Sequence, residues 1–372
     1  MPTLDTAIDT PSTVAVGVSV VVPTCNRREQ IVRCVRSLLK QTSPPGEIIV
    51  VDDGSTDGSA DAIRALAVDA GATHLRVICN DRTLGANASR NVGTRVAAGA
   101  LVAFLDSDCV ADARWIERLR ASFVDPLVGA ASGLVEDTCR STAWERAFAG
   151  THRLPRRGPV RRFTSCNLMV RRCILTAHRW EEDFSDATRA GRRPDTGFSG
   201  RCDEEGLYLA IRAAGWTVVA EPSAMLDHEH PYGWRSFRRQ AWHGGRAAAE
   251  LVWKFRLHDR LDVAPFVLAA LLLVISILVA ACIDAPWRWL LPLVALAPFA
   301  AGCAAVAWNE IANKGKSPGG LIAAIPALSA YYALRSIGYA LRRVELFLGI
   351  RPLSRIEPGS LGRSMPRPRA TP

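Results

Sequence analysis

The feature that most constrains the fold is an alternation of short apolar runs and helical patterns between residues 18 and 105. Strand-like runs rich in Val, Ile and Leu are separated by stretches whose apolar residues recur at helical spacing. Short connections join these segments, which predicts βαβ units and a doubly wound α/β sheet. Because ligands bind beyond the carboxyl ends of the strands in such sheets, we expect the functional site at that edge.

Polar loops follow three of the predicted strands. They contain Thr24-Cys25-Asn26, the pair Asp52-Asp53, and Asp106-Ser107-Asp108. Asp106 and Asp108 alternate directly after an apolar strand, so a loop there can direct both carboxylates at one divalent cation. A solvated turn is the simpler interpretation of an isolated Asp-x-Asp, and an Asx turn is the simpler interpretation of Asp52-Asp53. The strand that precedes Asp106 favours the metal site.

The C-terminal third has a different composition, dominated by Ala, Leu, Val and Ile beyond Val263. Val263 to Ile283 and Trp287 to Trp308 are each long enough to span a bilayer, and a tight turn at Asp284 to Pro286 joins them. The next apolar segment carries Arg335, Arg342 and Arg343, which favours an amphipathic helix at the interface over a third span. A soluble helical hairpin is the alternative to a membrane anchor.

Charge and cysteine usage exclude several classes of protein. The net charge of +10 favours anionic partners, but no helix-turn-helix pattern or zinc module is present, so we expect no nucleic-acid binding. The ten cysteines form no CxxC pair, which argues against a structural zinc site and suits a reducing compartment. The segment from Met1 to Pro11 lacks the basic and apolar regions of a signal peptide.

Four motifs occur in order and at strand ends: Val20 to Arg27, Val50 to Asp57, Ala88 to Gly93 and Phe104 to Asp108. Together they resemble the family 2 glycosyltransferases of the GT-A fold, and the resemblance covers about Val18 to Arg246. It implies a nucleotide-sugar-binding, doubly wound mixed sheet, followed here by C-terminal transmembrane helices. It also implies an enzyme that transfers a sugar from a nucleotide-diphosphate donor, with Mg²⁺ or Mn²⁺ as cofactor.

The resemblance assigns roles to residues of the first strands. Asp52 and Asp53 bind the nucleoside, and the loop from Pro23 to Arg27 forms the other side of that pocket. His228 lies where some family members contact the metal or phosphate, although a surface histidine is an equal alternative. The predicted nucleotide-sugar-binding residues are Pro23, Thr24, Asn26, Arg27, Asp52, Asp53, Arg82, Arg90, Asp106 and Ser107, and the predicted metal ligands are Asp106, Asp108 and His228. Arg82 and Arg90 are included because they flank the Gly85 loop, where either could pair with the diphosphate, although a solvated arginine is an equal alternative.

The catalytic base is expected downstream, where family members carry an acidic pair at the start of an amphipathic helix. Asp203 and Glu204 fill that pair here, and Glu204 takes the place of the usual catalytic Asp. Asp203 and Glu205 stay open as alternatives for the base, and a carboxylate at a helix N-terminus is also common for its interaction with the helix dipole. The base would deprotonate the acceptor hydroxyl in one in-line displacement that inverts the anomeric centre.

The acceptor side is less defined by the sequence. The segment from Ser165 to Arg172 resembles the family's acceptor-side strand, which assigns Asn167 to this side of the site. Trp242 and Arg246 resemble the segment that closes over donor and acceptor, although their order differs from that of processive synthases. The membrane anchor favours a lipid-linked or other membrane-proximal glycan acceptor, and a phosphate acceptor would need no base. A small-molecule or peptide-derived acceptor is the alternative.

Three rival functions remain open from the sequence. The segment from Asp106 to Val110 fits an aspartyl-nucleophile phosphatase, but that motif usually lies on the first strand and needs a downstream lysine. A dinucleotide oxidoreductase lacks its Gly-x-Gly-x-x-Gly after the first strand. A catalytically silent membrane scaffold is argued against by the intact carboxylates.

The predicted location is the inner (plasma) membrane, multi-pass, with the catalytic domain cytoplasmic because nucleotide-sugar donors are made there. The basic stretch from Arg235 to Arg260 agrees with the positive-inside rule. The predicted domains are a disordered tail at 1–16, the catalytic domain at 17–230, a basic amphipathic or interfacial helical segment at 231–262, two transmembrane helices at 263–308, an interfacial or third membrane helix at 309–350, and a basic disordered tail at 351–372.

Overall fold

The structure is a computed structural model of the chain and describes residues 17–139, 141–142, 145, 157–160, 163–180, 203–229, 233–255, 264–312, 318–350 and 368. The two tails predicted at 1–16 and 351–372 therefore lie outside the described residues, apart from Pro368.

The N-terminal half has the predicted alternation of strands and helices. The runs of Val and Ile at Val18–Thr24 and Glu47–Asp52 form strands that are buried except at Glu47, and the intervening helices bury one apolar face each, such as Ile31, Val35 and Leu38. These elements are β1 (Val18–Thr24), α1 (Arg28–Leu39), β2 (Glu47–Asp52), α2 (Ser59–Asp69), β3 (Leu75–Cys79), α3 (Ala86–Val96) and β4 (Leu101–Leu105).

The second half of this domain adds strands of both directions. Its elements are β5 (Cys109–Ala111), α4 (Trp115–Ala121), a 3₁₀ turn (Ser122–Val124), β6 (Val128–Asp137), β7 (Gly158–Pro159), β8 (Asn167–Arg171), α5 (Arg172–Ala177), α6 (Asp203–Ala213) and β9 (Thr217–His228). The strand order is β3-β2-β1-β4-β8-β6-β9-β5, and β7 pairs with β9. β1 to β4 pair in parallel, whereas β8 is antiparallel to both β4 and β6. The sheet is therefore mixed, as the resemblance implied.

Apolar cores cover both faces of the sheet. Val20 and Val22 of β1 pack into one core with helices α1, α2 and α4, and Val21 packs into the other with α6. Successive residues of a strand point to opposite faces, so a run of valines is needed where both faces are covered. This arrangement confirms the doubly wound fold.

The C-terminal region is helical. Its elements are α7 (Trp234–Phe255), α8 (Ala264–Cys282), a 3₁₀ helix (Pro286–Ala295), α9 (Leu296–Ala312) and α10 (Pro318–Phe347). Among the described residues one helical stretch, Pro286–Ala304, is long and apolar enough to cross a membrane, and Leu268–Cys282 is apolar but shorter. The composition thus supports one of the two predicted spans, and the other stays a prediction.

Helix α10 packs along α7 with its charged residues turned inward. Arg342 is fully buried and donates to Glu250 (Nε–Oε1 2.7 Å), and Arg246 of α7 binds both carboxylate oxygens of Glu345 at 2.9 and 2.8 Å. The outward side of α10 is apolar, because Ile337, Leu341 and Val344 are exposed at helical spacing, and Leu348 just past its end is exposed as well. Arg342 is one of the arginines predicted to lie at a membrane interface. In the structure it is buried between α10 and α7, where it binds Glu250.

Close backbone contact allows this packing. A Cβ atom on Gly245 would lie 1.9 Å from the carbonyl oxygen of Arg335, and one on Gly338 would lie 2.5 Å from the carbonyl oxygen of Trp242. Two glycines that face each other across a helix pair let the backbones approach and hold the ion pairs away from water.

Candidate active site

The loops predicted to carry the chemistry converge at the carboxyl edge of β1, β2 and β4. Thr24 lies opposite Asp52 in the β1–β2 register, and the Asp53 amide donates to the Thr24 carbonyl at 2.8 Å. β4 is the other neighbour of β1 and ends at Leu105, directly before Asp106. Parallel strands that begin and end in register bring their following loops together, so the three loops meet at the edge where the site is predicted.

The pair Asp52 and Asp53 is buried, and both carboxylates hold turns. Asp52 Oδ1 accepts a hydrogen bond from the Ser55 amide at 3.0 Å, which is the Asx turn allowed by the sequence. Asp53 accepts from the amides of Leu84 and Gly85 at 2.9 and 2.7 Å and from Asn80 Nδ2 at 2.7 Å. Asp53 therefore fixes the loop that leads into α3.

The loop from Pro23 to Arg27 is fastened to the turn after β2. Asn26 adopts a left-handed backbone with φ 52°, and its Oδ1 accepts from the Thr56 amide at 2.8 Å. Thr24 Oγ1 is buried and has no hydrogen-bond partner among the described residues. A buried hydroxyl without a partner at this edge fits a polar group of a bound ligand.

Asp106 is held by a buried arginine of α3. Arg90 donates from Nη2 to Asp106 Oδ1 at 2.7 Å and from Nη1 to Asn87 Oδ1 at 2.7 Å. The guanidinium also lies over the ring of Trp180, 5.2 Å from its centroid. Arg90 is thus fixed from three sides, and Asp106 remains partly exposed beside the buried Ser107.

Asp108 faces a histidine and an arginine. Its Oδ2 lies 2.5 Å from Arg27 Nη1 and 3.7 Å from His228 Nε2, and the β5–β9 register places Cys109 opposite His228. The other imidazole nitrogen, Nδ1, lies 2.9 Å from Asp137 Oδ1. A carboxylate that orients the remote nitrogen is the usual support of a metal-binding histidine.

The electrostatics of His228 follow from these neighbours. Burial lowers the pKa of the imidazole, but the negative charge of Asp108 and the hydrogen bonds to Asp108 and Asp137 outweigh it, so the pKa lies well above its usual value. The ligand atoms of Asp108, Cys109 and His228 all lie within 4.8 Å of one another. Asp108 and His228 therefore fit a divalent cation. Asp106 is not part of this group; its carboxylate binds Arg90, as that of Asp108 binds Arg27, and its role as a metal ligand stays a prediction.

Glu204, one of the three acidic residues predicted to include the base, contacts Ser165. Its Oε1 accepts hydrogen bonds from Ser165 Oγ at 2.8 Å and from the Ser165 amide at 3.2 Å. Asn167 pairs with Leu105 in the antiparallel β4–β8 register, so Ser165 lies just beyond the carboxyl end of β4. Ser165 thereby holds Glu204 at the same edge as Asp106 and Asp108. The side chain of Asp203 lies outside the described residues.

Several predicted residues are not brought into this cluster. Arg82 is exposed. Asn167 is fully buried and accepts from Trp115 Nε1 at 2.8 Å while donating to the Leu134 and Ala224 carbonyls, so its amide holds the sheet together. Trp242 and Arg246 lie on α7, where α10 packs against them, and Arg246 binds Glu345.

Two residues of the site were not identified from the sequence. Asp137 ends β6 and belongs to no motif, so only the pairing of β6 with β9 brings it to His228. Ser165 lay within the segment noticed for its resemblance to an acceptor-side strand, but its contact with Glu204 depends on how α6 packs.

The mixed sheet with carboxylates, an imidazole and arginines at the end of β4 defines a domain suited to bind a diphosphate through a cation. Residues 19–177 match the family described as "Glycosyl transferase family 2". Residues 19–177, which are less than half of the chain, therefore form a family 2 glycosyltransferase domain.

Known proteins agree with this assignment. Glycosyltransferase AglE of Haloferax volcanii is 32% identical over 164 residues, which cover 42% of this chain and 53% of the relative. TuaG of Bacillus subtilis, a glycosyltransferase assigned to teichuronic acid biosynthesis, is 41% identical over 92 residues, which cover 24% of this chain and 35% of the relative. The chain thus spans about half or less of the length of these relatives.

The same fold occurs in a solved structure, the mannosyltransferase PcManGT from Pyrobaculum calidifontis in complex with GDP-Man and Mn²⁺. The TM-score is 0.53 at 20% sequence identity, and the likeness covers 90% of each chain. At this identity the likeness concerns the fold.

Proposed function

We propose that this chain transfers a sugar from a nucleotide-diphosphate donor to a membrane-proximal acceptor, with inversion at the anomeric carbon, in cell-envelope glycan synthesis. The observation that carries the proposal is the arrangement of Asp108, His228 and Asp137 at the edge where the loops after β1, β2 and β4 meet. The relative assigned to teichuronic acid biosynthesis supports glycan synthesis as the process.

The donor pocket is proposed at the loops after β1 and β2. The turns closed by Asp52 and Asn26 hold these loops against each other, and the unpartnered Thr24 hydroxyl is available to a polar atom of the nucleoside. Asp53 contributes by fixing the neighbouring loop, so its effect on the donor is indirect.

Asp108 and His228 would hold the cation, Mg²⁺ or Mn²⁺. When bound, the cation neutralises the negative charge that develops on the departing nucleoside diphosphate. Asp137 keeps the Nε2 atom of His228 directed at Asp108, and Arg90 keeps Asp106 at the rim with its charge largely compensated. The oxygen and imidazole donors suit Mn²⁺ at least as well as Mg²⁺.

Glu204 is the proposed base for an acceptor hydroxyl. The two hydrogen bonds from Ser165 orient the carboxylate through Oε1, and Oε2 would take the proton. A base on the side of the sugar opposite the leaving group gives one displacement with inversion. For a phosphate acceptor, Glu204 would position the acceptor without taking a proton.

A lipid-linked acceptor is supported by the apolar surface of the C-terminal helices. Large hydrophobic residues are exposed along α8, the 3₁₀ helix and the outer side of α10, including Ile275, Leu278, Trp289 and Leu341. Exposed apolar area on this scale marks a contact with membrane lipid or protein. We place the helices in the plasma membrane, with α7 and α10 at its cytoplasmic surface beneath the catalytic domain.

The test is the release of nucleoside diphosphate from a panel of UDP- and GDP-sugars by the full chain in detergent, with Mn²⁺ or Mg²⁺. Asp108→Asn should abolish release, whereas Asp227→Asn, which removes an exposed charge beside His228, should retain it. Release by Asp108→Asn at the wild-type rate with saturating cation would contradict the proposal, as would inactivity towards every donor. The anomeric configuration of the product, read by NMR, decides the stereochemistry.

A further inference from the structure

Arg27 binds the Asp108 oxygen that a cation would need. Its Nη1 lies 2.5 Å from Asp108 Oδ2, the same oxygen that faces His228 Nε2 at 3.7 Å. A metal ion bound to a carboxylate oxygen and an imidazole nitrogen lies about 2.0–2.2 Å from each. The guanidinium and the ion therefore compete for one position, and their like charges oppose joint occupancy.

The two arginines of the site differ in how firmly they are held. Arg90 has a side chain only 2% exposed, two hydrogen-bond acceptors and an aromatic ring against its guanidinium. The Arg27 side chain is 22% exposed. Its backbone is anchored at the start of α1, where the amide donates to Ser59 Oγ and the carbonyl accepts from the Ile31 amide. The Arg27 side chain can therefore move while its backbone stays in place.

We infer that Arg27 is an exchangeable counter-ion: it neutralises Asp108 in the cation-free protein and is transferred to the donor diphosphate when a divalent cation takes Asp108. This inference rests on the proposed metal site. It explains why a buried carboxylate next to a second carboxylate needs a positive partner before the cation arrives. Release of the Arg27 guanidinium then depends on cation binding. Arg27 therefore binds the diphosphate only when the cation is bound to Asp108.

The exchange predicts effects of opposite sign from one substitution. Arg27→Gln removes the competitor, so the affinity for Mn²⁺ alone should rise about tenfold, the value of one charge-assisted hydrogen bond at its lower limit. At saturating Mn²⁺ the same variant should bind UDP or GDP about tenfold more weakly, because the released guanidinium is missing. A residue that only shapes the pocket would not tighten metal binding.

The experiment measures Mn²⁺ binding to the full chain in detergent by the EPR signal of the free ion, and UDP and GDP binding by calorimetry. Arg33→Gln is the matched control, because this substitution removes an equal charge near the site. Arg33 lies on α1 and pairs with the exposed Glu229. This control should change either affinity by less than about twofold. Arg27→Lys, which keeps a positive charge, should give smaller shifts than Arg27→Gln and replaces it if that variant does not fold.

The outcomes separate the inference from the proposed function. If the wild-type chain binds Mn²⁺ and Asp108→Asn does not, the metal site stands. If Arg27→Gln then binds Mn²⁺ no more tightly than Arg33→Gln does, the exchange alone is overturned. Binding of UDP and GDP to Arg27→Gln at the wild-type affinity overturns it as well. If Mn²⁺ binding is absent from the wild type or survives Asp108→Asn, the metal assignment fails and the exchange fails with it.

Discussion

Asp137→Asn offers the sharpest test of the histidine as a metal ligand. Asp137 Oδ1 lies 2.9 Å from His228 Nδ1; Asp137 is buried and the imidazole is 12% exposed, so the pair is largely shielded from solvent. Asparagine keeps the size and an acceptor oxygen but loses the charge. Removing such a supporting carboxylate typically weakens metal binding about 10–100-fold, and the retained acceptor suggests the lower end, about tenfold.

The assay is Mn²⁺-dependent release of nucleoside diphosphate at increasing Mn²⁺. We expect the Mn²⁺ concentration for half-maximal rate to rise about tenfold. The rate at saturating Mn²⁺ should stay close to that of the wild type, because Asp137 does not reach the cation itself. Asp227→Asn is the matched control, since it removes a neighbouring exposed carboxylate of β9. A lower maximal rate without a change in Mn²⁺ requirement would refute the reasoning, because Asp137 would then act on the fold or on the chemistry.

Two further predictions concern the base and the helix pair. Glu204→Gln should lower the transfer rate to a hydroxyl acceptor about 10²–10⁴-fold while donor binding is retained. Ser165→Ala should lower the same rate by a smaller factor, because the Glu204 carboxylate loses the hydroxyl that orients it, and unchanged rates in both variants would favour a phosphate acceptor. Glu345 has a pKa lowered to about 2 from 4.5, mainly by its hydrogen bond from Arg246 and also by Arg342. Because the folded-state pKa is depressed, this stabilisation is present above about pH 4.5 and is lost as the pH falls towards 2. Glu345→Gln should therefore lower the free energy of unfolding at neutral pH by about 1–2 kcal/mol after allowance for solvent screening. The variant should also lose less stability than the wild type when the pH is lowered. A wild-type melting temperature that stays the same between pH 7 and pH 3 would contradict the ion-pair assignment.

The fold of the catalytic domain and the position of its site could be predicted from the sequence. Both depend on local patterns: apolar runs of strand length, helical periodicity, and polar residues where strands end. Asp106 and Asp108 follow a buried strand, and parallel strands must end at a shared edge, so their convergence with Thr24 and Asp52 needed no knowledge of distant contacts. The family motifs carried the same information.

The partners of these side chains were decided by the tertiary structure. Asp137 and His228 are 91 residues apart, and Glu204 and Ser165 are 39 residues apart, so each contact depends on strand order and helix packing. The same holds for Arg246, which the sequence suggested for the acceptor side but which binds Glu345 across 99 residues. Periodicity tells which face of an element is apolar, but only packing selects the group that a charged side chain meets. For that reason the sequence determined the domain and its edge, and the folded chain decided that Asp108 meets Arg27 and His228 while Asp106 meets Arg90.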